Sequence, residues 1–265
     1  MSVGDIGFEF RLRPLDDIEA WESDGRRTLH WFGLTDGLYR VTVGGKDLFE
    51  YDSSLFERLG WQAQQAPEGF EHGAEYQVAR LFHDLAGIVP LTVDDPVPES
   101  VARHLATTEA RAIWSSLVRR DAESDEIVEL LDRATGWLDA RSLDSGHLRA
   151  GPLLRLWRSD ARVHAWCDNR GRQLEGHRVW AHDDMYAVTS VEQFDEAVAS
   201  FREHVLGAMD ERVRIIEAGW TREGVEIDVV ALREQQSSEA ASWERVVTPT
   251  DWGEVSSALS KLAAS

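Results

Sequence analysis

The densest group of side chains able to bind a metal or move a proton lies between residues 164 and 184. Its members are His164, Cys167, Asp168, His177, His182, Asp183 and Asp184. Imidazole, thiolate and carboxylate groups together bind zinc and similar metals. One hypothesis is therefore a metal-assisted enzyme whose ligands are His164, His177, His182 and Asp183.

Strand geometry argues against this metal site. His177 and His182 are an odd number of positions apart, and residues so spaced point to opposite faces of a strand. His164 and Cys167 have the same difficulty, so loops would have to correct the geometry. Scattered surface histidines and an inert buried cysteine explain the same residues. We predict no catalytic residue and no cofactor, with the metal site as the alternative.

A second group combines acidic and aromatic side chains near the N-terminus. The carboxylates Asp16, Asp17, Glu19, Glu22 and Asp24 surround Trp21, and Trp61 lies in a Gly- and Gln-rich loop. Exposed tryptophans are enriched among residues that dominate protein interfaces. Carboxylates steer the approach of basic partners. We predict that these seven residues form a protein-binding surface. The alternative is that both loops fold back and bury their tryptophans.

Signatures of common enzymes are missing from the sequence. It has no G-x-S-x-G turn, no Walker P-loop, no G-x-G-x-x-G, no H-E-x-x-H and no EF-hand loop. Catalysis by carboxylates leaves little local signature, so these absences weaken the enzyme hypothesis without eliminating it.

The charge balance narrows the choice of partner. The 265 residues carry 48 acidic and 28 basic side chains, a net charge of −20. Residues 1–100 hold 19 acidic and 8 basic residues, or −11, whereas residues 151–178 hold six arginines against three acids, or +3. The total charge of −20 repels the phosphate backbones of nucleic acids, so we predict no nucleic-acid partner. A basic protein, such as a toxin domain, is the expected partner; an acidic surface that serves only solubility is the alternative.

Cysteine content and hydropathy indicate the compartment. The single Cys167 cannot form an internal disulfide, which fits a reducing environment. The first ten residues do not resemble a signal peptide. No apolar run approaches the ~18 residues that a membrane span needs. We expect a cytoplasmic protein without a membrane partner.

Hydrophobic periodicity predicts an α+β fold with two antiparallel β-meanders, each followed by an amphipathic helix. Strands are predicted at Phe8–Leu12, Leu29–Leu34, Leu38–Val43, Asp47–Tyr51, Leu153–Trp157, Val163–Cys167 and Tyr186–Thr189. Helices are predicted at Glu75–Val89, Ser100–Arg119, from Ser124 to about Leu138, at Ser190–Glu217, Asp228–Val247 and from Thr248 to about Leu262. Ser190 and Gln193 match a capping box. The segment Pro90–Pro98 is the predicted linker.

These elements predict three regions. Residues 1–95 form a β-meander and helix, residues 96–148 a helical connector, and residues 149–265 a second β-meander with a long helix and C-terminal helices. Whether the two meanders arose by duplication stays open, because their sequences differ too much.

Several runs resemble a family of uncharacterised bacterial proteins that is common in actinomycetes. They are Phe8–Leu15, Trp31–Gly37, Gly44–Tyr51, Leu148–Pro152, Asp168–Arg170 and Met209–Trp220. The family has no assigned function, so the resemblance implies no catalytic residues. By analogy alone, acidic Trp-rich proteins of this kind resemble immunity proteins of bacterial toxin systems. Our functional hypothesis is a non-enzymatic module that inhibits a basic toxin domain. The alternatives are the metal-assisted enzyme and a structural subunit that oligomerises through the helix at 190–217.

Overall fold

A computed structural model describes residues 5–59, 70, 73–118, 124–244 and 247–263. It combines antiparallel sheets with helices, which confirms the predicted α+β class.

The first sheet contains strands from the N-terminal part of the chain. They are β1 (Ile6–Leu12), β4 (Asp36–Val43), β5 (Lys46–Asp47) and β6 (Ala74–Gln77). Strand β4 pairs with the other three, in each case antiparallel. Buried and partly buried residues alternate along β4, because one of its faces packs on the core. Gly44 and Gly45 form the predicted hairpin turn with φ of +60° and +78°, a conformation that favours glycine.

The strands of the second sheet are β7 (Ser142–Asp144), β8 (Leu153–Ser159), β9 (Arg162–Asp168) and β12 (Asp184–Ser190). They follow the order β12-β9-β8-β7. Two short hairpins lie outside the sheets: β2 (Trp21–Ser23) with β3 (Arg26–Thr28), and β10 (Gln173–Leu174) with β11 (His177–Arg178).

The helices differ widely in length. They are α1 (Trp31–Leu34), α2 (Ser53–Leu59), α3 (Val78–Asp94), α4 (Glu99–Ala102), α5 (Thr108–Val118), α6 (Asp125–Asp139), α7 (Val191–Glu217), α8 (Val229–Ala241) and α9 (Trp252–Leu262). Short 3-10 turns occupy Leu15–Asp17 and Arg103–Leu105. The predicted capping box is confirmed, since Ser190 accepts from the Gln193 amide and the Gln193 side chain accepts from Ser190.

Two hydrophobic cores lie on opposite faces of the second sheet. The larger core takes residues from both sheets, from α3 and from the buried stripe of α7. The smaller core packs α4, α5, α6 and α9 against the other face, where Trp157 and Trp166 lie. Strand alternation therefore decides which side chains of β8 and β9 reach each core.

Long-range polar contacts connect the N-terminal part with the last helices. The Trp31 backbone amide donates to the Gln235 Oε1 at 2.9 Å, and the Trp31 indole donates to Gln236. The guanidinium of Arg212, buried on α7, donates to the carbonyls of Leu34 and Arg13. Helix α1 is thus held by residues about 200 positions away.

Three predicted elements differ in the structure. The run Leu29–Leu34 ends in helix α1 instead of a strand, because His30 caps the helix by accepting from the Gly33 amide at 3.2 Å. Helix α3 continues through Pro90 to Asp94. A proline inside a helix removes one hydrogen bond and crowds the preceding turn, and burial of the helix face outweighs this cost. Pro90–Pro98 is consequently not an exposed linker, and Val97 is buried.

Other predicted element boundaries also differ from those in the structure. The predicted helix at Ser100–Arg119 is divided into α4, a 3-10 turn and α5. The predicted third strand, Asp47–Tyr51, is reduced to β5 and an isolated bridge between Tyr51 and Trp180. The last helix begins after Asp251, whose carboxylate accepts from the Glu254 amide, and not after Thr248.

Candidate functional site

The predicted acidic segment forms a 3-10 turn followed by the β2–β3 hairpin. Its five carboxylate residues are all exposed: Asp16, Asp17, Glu19, Glu22 and Asp24. Asp24 and Gly25 make the hairpin turn with φ of +53° and +74°, and both conformations suit short polar residues and glycine. The hairpin also carries Arg26 and Arg27, so residues 16–27 have five acids against two bases, a net charge of −3.

Trp21 lies on this hairpin and is 45% exposed. One edge of its ring contacts His30, with 4.6 Å between the ring centroids and an interplanar angle of 83°. Phe32 lies 6.0 Å away in a similar orientation. Burial lowers the pKa of His30, which keeps the ring neutral and able to cap α1. The indole is therefore positioned from one side and open to solvent on the other.

The hairpin is held by the loop before α8. The Trp220 indole donates to Asp16 at 3.0 Å, and the Glu226 amide donates to the Arg27 carbonyl at 2.8 Å. Arg222 donates to the Ile18 carbonyl. These contacts give the acidic segment a defined shape even though its own side chains are exposed.

The other tryptophans that the structure describes are buried or partly buried. Trp31, Trp157, Trp166 and Trp180 are at most 1% exposed. Trp61, which was predicted beside Trp21 in the binding surface, lies outside the described residues. Trp21 is thus the exposed tryptophan of the part of the chain that the structure describes.

His164, the first of the predicted metal ligands, is paired with neighbouring side chains. Its ring stacks on Trp157 at 5.1 Å between centroids, and its Nδ1 lies 2.8 Å from the Tyr186 hydroxyl. Burial, with the positive charges of Arg162 and Arg111, lowers the pKa of His164 to about 4. The imidazole is consequently neutral at pH 7 and has a structural partner.

The remaining predicted ligands face different partners. His177 lies 3.1 Å from Arg58, His182 lies 3.2 Å from Glu50, and Asp183 lies 3.5 Å from Arg178. Within the described ranges, no group of three His, Cys, Asp or Glu side chains could hold a metal ion. The structure therefore does not bring His164, His177, His182 and Asp183 together.

Cys167 is also poorly suited to chemistry. Its thiol is buried on the face of β9 toward the larger core and donates to Asn169 at 3.1 Å. Burial raises the pKa of the thiol to about 12, so the reactive thiolate is not formed at pH 7.

A pocket that the sequence did not predict lies on the opposite face of the second sheet. Its volume is about 360 Å³, and it is lined by Ser115, Leu153, Arg155, Asp168, Arg170, Gly171 and Arg172. Alternation along β8 buries Leu154 and Leu156 in the larger core and turns Arg155 toward the pocket. The excess of arginine in residues 151–178 was the sequence signal for this pocket.

A second buried arginine, Arg141, has a complete set of partners. Its guanidinium lies 2.5 Å from the Asp95 carboxylate and donates to the carbonyls of Leu91 and Trp137. Asp95 also accepts from the Thr250 amide at 2.9 Å and from the Trp252 indole at 3.0 Å. This cluster, Arg141 with Asp95, Thr250 and Trp252, ties α9 to the C-terminal end of α3.

The family model described as "Family of unknown function (DUF5984)" matches residues 7–258. The chain belongs to the DUF5984 family. The match covers the hairpin with Trp21, both sheets and the pocket beside Arg155. The search of curated proteins and the search of solved structures each gave no significant match to this DUF5984 chain.

The helices among the described residues of this DUF5984 chain include none that is both long and apolar enough to span a membrane. Even α7, the longest at 27 residues, carries charged residues along most of its length.

Proposed function

We propose that this chain is a non-enzymatic protein-binding module that recognises a basic protein through the β2–β3 hairpin. The observation that carries the proposal is Trp21, a large aromatic side chain that is 45% exposed on a hairpin held in place by Trp220, Arg222 and Glu226. Tryptophan, with tyrosine and arginine, is enriched among the residues that dominate the binding energy of protein interfaces.

Charge supports a basic partner. Exposed carboxylates flank Trp21 on the 3-10 turn and on the hairpin, and the first hundred residues carry −11 of the total −20. Charges of one sign around a binding site speed the approach of an oppositely charged partner. The aromatic side chain would then supply the desolvated contact, while the carboxylates supply steering and orientation.

We propose that the module inhibits its partner by occlusion. An acidic module that covers the basic surface of a toxin domain blocks access of that domain to its own anionic substrate. The lone cysteine, which stays free and buried, suits a reducing compartment, so we propose that the module acts in the cytoplasm. This role is of the immunity or antitoxin type.

Affinity capture from native lysate at low and high salt tests the proposal. Immobilised wild-type chain should retain a basic protein at about 50 mM salt and lose most of it at about 500 mM, because screening shortens the range of charge interactions. Trp21→Ala should reduce retention at low salt at least tenfold. Neutralising Asp16, Asp17, Glu19, Glu22 and Asp24 to their amides should reduce it as strongly.

The matched control neutralises five exposed acids on α6 and α7: Glu126, Glu129, Asp132, Glu196 and Glu203. It removes the same charge and should leave retention almost unchanged. Equal loss in the control and in the hairpin variant would show that total charge, not the hairpin, governs capture. Retention that Trp21→Ala leaves intact would contradict the proposal.

A further inference from the structure

We propose that the pocket beside Arg155 binds the phosphate group of a small ligand, which Arg155 and Arg172 hold between them. This site is separate from the hairpin and goes beyond the protein-binding function. It concerns the pocket of about 360 Å³ on the face of the second sheet opposite the larger core.

Arg155 is a buried cation without a hydrogen-bonding partner. The residue is 7% exposed, and among the described residues its guanidinium makes no side-chain hydrogen bond or ion pair. Its Nε is fully buried and unpaired. The contact that holds it is the ring of Trp166, 4.9 Å from the guanidinium carbon. A buried charge left in this state costs stability unless a ligand compensates it.

Arg172 adds a second positive charge at the same pocket. It is partly buried, and no ion pair of its side chain occurs within the described ranges. Burial lowers the pKa of Arg155; the nearby Asp139, Cys167 and Asp168 act in the opposite direction, and the positive charge of Arg172 lowers it further. The two guanidinium groups thus lie near enough for their charges to repel. An anion between them would remove this repulsion.

The remaining charges of the pocket neutralise each other. Arg170 makes a bidentate contact with Asp168 at 2.8 and 3.1 Å, and Ser115 donates to the same carboxylate at 3.1 Å. Burial alone would raise the pKa of Asp168, but the hydrogen bonds and charge of Arg170, with the hydrogen bond from Ser115, hold it below its ordinary value. Asp168 is therefore engaged by other donors and acts on Arg155 only through its charge, without a direct hydrogen bond or ion pair among the described residues. The lining keeps an excess of two positive charges.

The chemistry of the pocket favours phosphate over other anions. A guanidinium offers two parallel N–H donors that match two oxygens of a phosphate, and two such groups match its charge of nearly −2 at pH 7. The Ser115 hydroxyl lies at the pocket wall as an additional polar group. The volume accommodates a phosphate together with a small organic group.

Isothermal titration of the purified wild-type chain with inorganic phosphate tests the site. We expect saturable binding at one site, which sodium chloride of equal ionic strength does not reproduce. Arg155→Met and Arg172→Met should each weaken binding at least tenfold. Arg162→Met, which removes an exposed arginine of the same strand pair, should leave binding unchanged within a factor of two.

Two further titrations identify the ligand. Glucose 6-phosphate that binds more tightly than inorganic phosphate would indicate an organic phosphate ester, whereas equal or weaker binding would indicate the free anion. Succinate that binds as tightly as phosphate would overturn the assignment to phosphate.

A further variant distinguishes a loss of phosphate binding from a loss of folding. Arg155→Lys keeps the charge but loses the paired donors, so it should bind phosphate more weakly than wild type while it unfolds at the same temperature in phosphate-free buffer. Absence of saturable binding to the wild-type chain, or binding that Arg155→Met and Arg172→Met leave unchanged, would overturn the proposal.

Discussion

Arg141 and Arg155 are both buried arginines, but the polar partners of their guanidinium groups differ. Arg141, at 1% exposure, has a carboxylate, backbone carbonyls, a hydroxyl and two indole rings around it. Arg155, at 7% exposure, has one indole ring and an unpaired Nε. The two residues lie on the same side of the second sheet, where the helices of the smaller core pack.

This difference concerns how the fold pairs a buried guanidinium that connects its elements. Where the chain uses a guanidinium to connect elements, it provides partners for the donors, because unpaired buried donors are costly. Arg155 departs from that pattern while lining a pocket, and this departure is why we regard it as part of a binding site. The following changes test the contrast, beginning with the largest expected effect.

Removal of the Asp95 carboxylate should be the most damaging single change. Asp95→Ala leaves Arg141 charged and buried and also removes the acceptor for the Thr250 amide and the Trp252 indole. We expect a loss of about 3–5 kcal/mol in the free energy of unfolding. Urea denaturation followed by tryptophan fluorescence measures it. Glu129→Ala, which breaks an exposed pair with Arg133, is the control and should cost at most about 0.5 kcal/mol.

Removing both charges of the Arg141 cluster should recover much of that loss. In the double variant Asp95→Leu with Arg141→Met, no uncompensated charge stays in the core. We expect the double variant to be more stable than Asp95→Ala by about 3 kcal/mol. Urea denaturation followed by tryptophan fluorescence measures this difference in the free energy of unfolding. A double variant as unstable as the single one would mean that hydrogen bonds, and not the buried charge, dominate the cluster.

The two regions should also respond to different pH ranges. The pKa of His164, on the Arg155 side of the sheet, falls to about 4 in the folded protein from an ordinary value of 6.5. The neutral His164 contributes fully to the free energy of unfolding above pH 6.5, and this contribution, about 3 kcal/mol, is lost as the pH falls through 4. Burial alone would raise the pKa of Asp95, but Thr250, Trp252 and Arg141 hold it below its ordinary value of 3.8. The Arg141 cluster therefore weakens only at lower pH.

The difference in unfolding free energy between wild type and His164→Gln isolates the histidine. Relative to the variant, the wild type should lose free energy of unfolding as the pH falls from 7 to 4.5. Comparison with the variant is needed because burial raises the pKa of Asp47 to about 6, and this carboxyl contributes in the opposite direction: its stabilisation is present at low pH and is lost as the pH rises through 6. A pH-independent difference would show that His164 does not titrate as described.

Arg155→Met should have the smallest effect on stability. Methionine fills similar space and contacts Trp166, while the buried cation that lacks a direct polar partner disappears, so the free energy of unfolding in phosphate-free buffer should change by less than about 1 kcal/mol. Thermal unfolding is a sufficient measurement. A loss of about 3 kcal/mol or more would place Arg155 in the same structural class as Arg141.

Local patterns predicted much of the fold. The hairpin at Gly44-Gly45, the capping box at Ser190 and the long stripe of α7 depend on residues close in sequence, and all three are present. The errors have a common cause in tertiary contacts. His30 converts a strand-like run into a helix start, and the buried face of α3 carries the helix through Pro90.

The candidate sites were predicted less completely. Exposure of Trp21 agrees with its place in an acidic, non-periodic segment, whereas Trp61 lies outside the described residues. The sequence shows the arginine excess at 151–178, but it does not show which of these guanidinium groups are paired in the fold. Whether a guanidinium on a strand is paired depends on residues such as Ser115 and Asp168, which are 53 positions apart. Spacing within one segment cannot show such a contact.

The contacts of Trp31 with Gln235 and Gln236 have a consequence for synthesis. Residues so far apart meet only after the second sheet, α7 and α8 have been made, and the Trp21 hairpin similarly depends on Trp220 and Glu226. Ribosomes add about 5–20 residues per second, so a separation of 204 residues corresponds to roughly 10–40 s. During that interval the N-terminal part emerges without its anchor. The proposed binding surface would thus be completed late in translation, and fragments that stop before Trp220 would lack the residues that hold the hairpin.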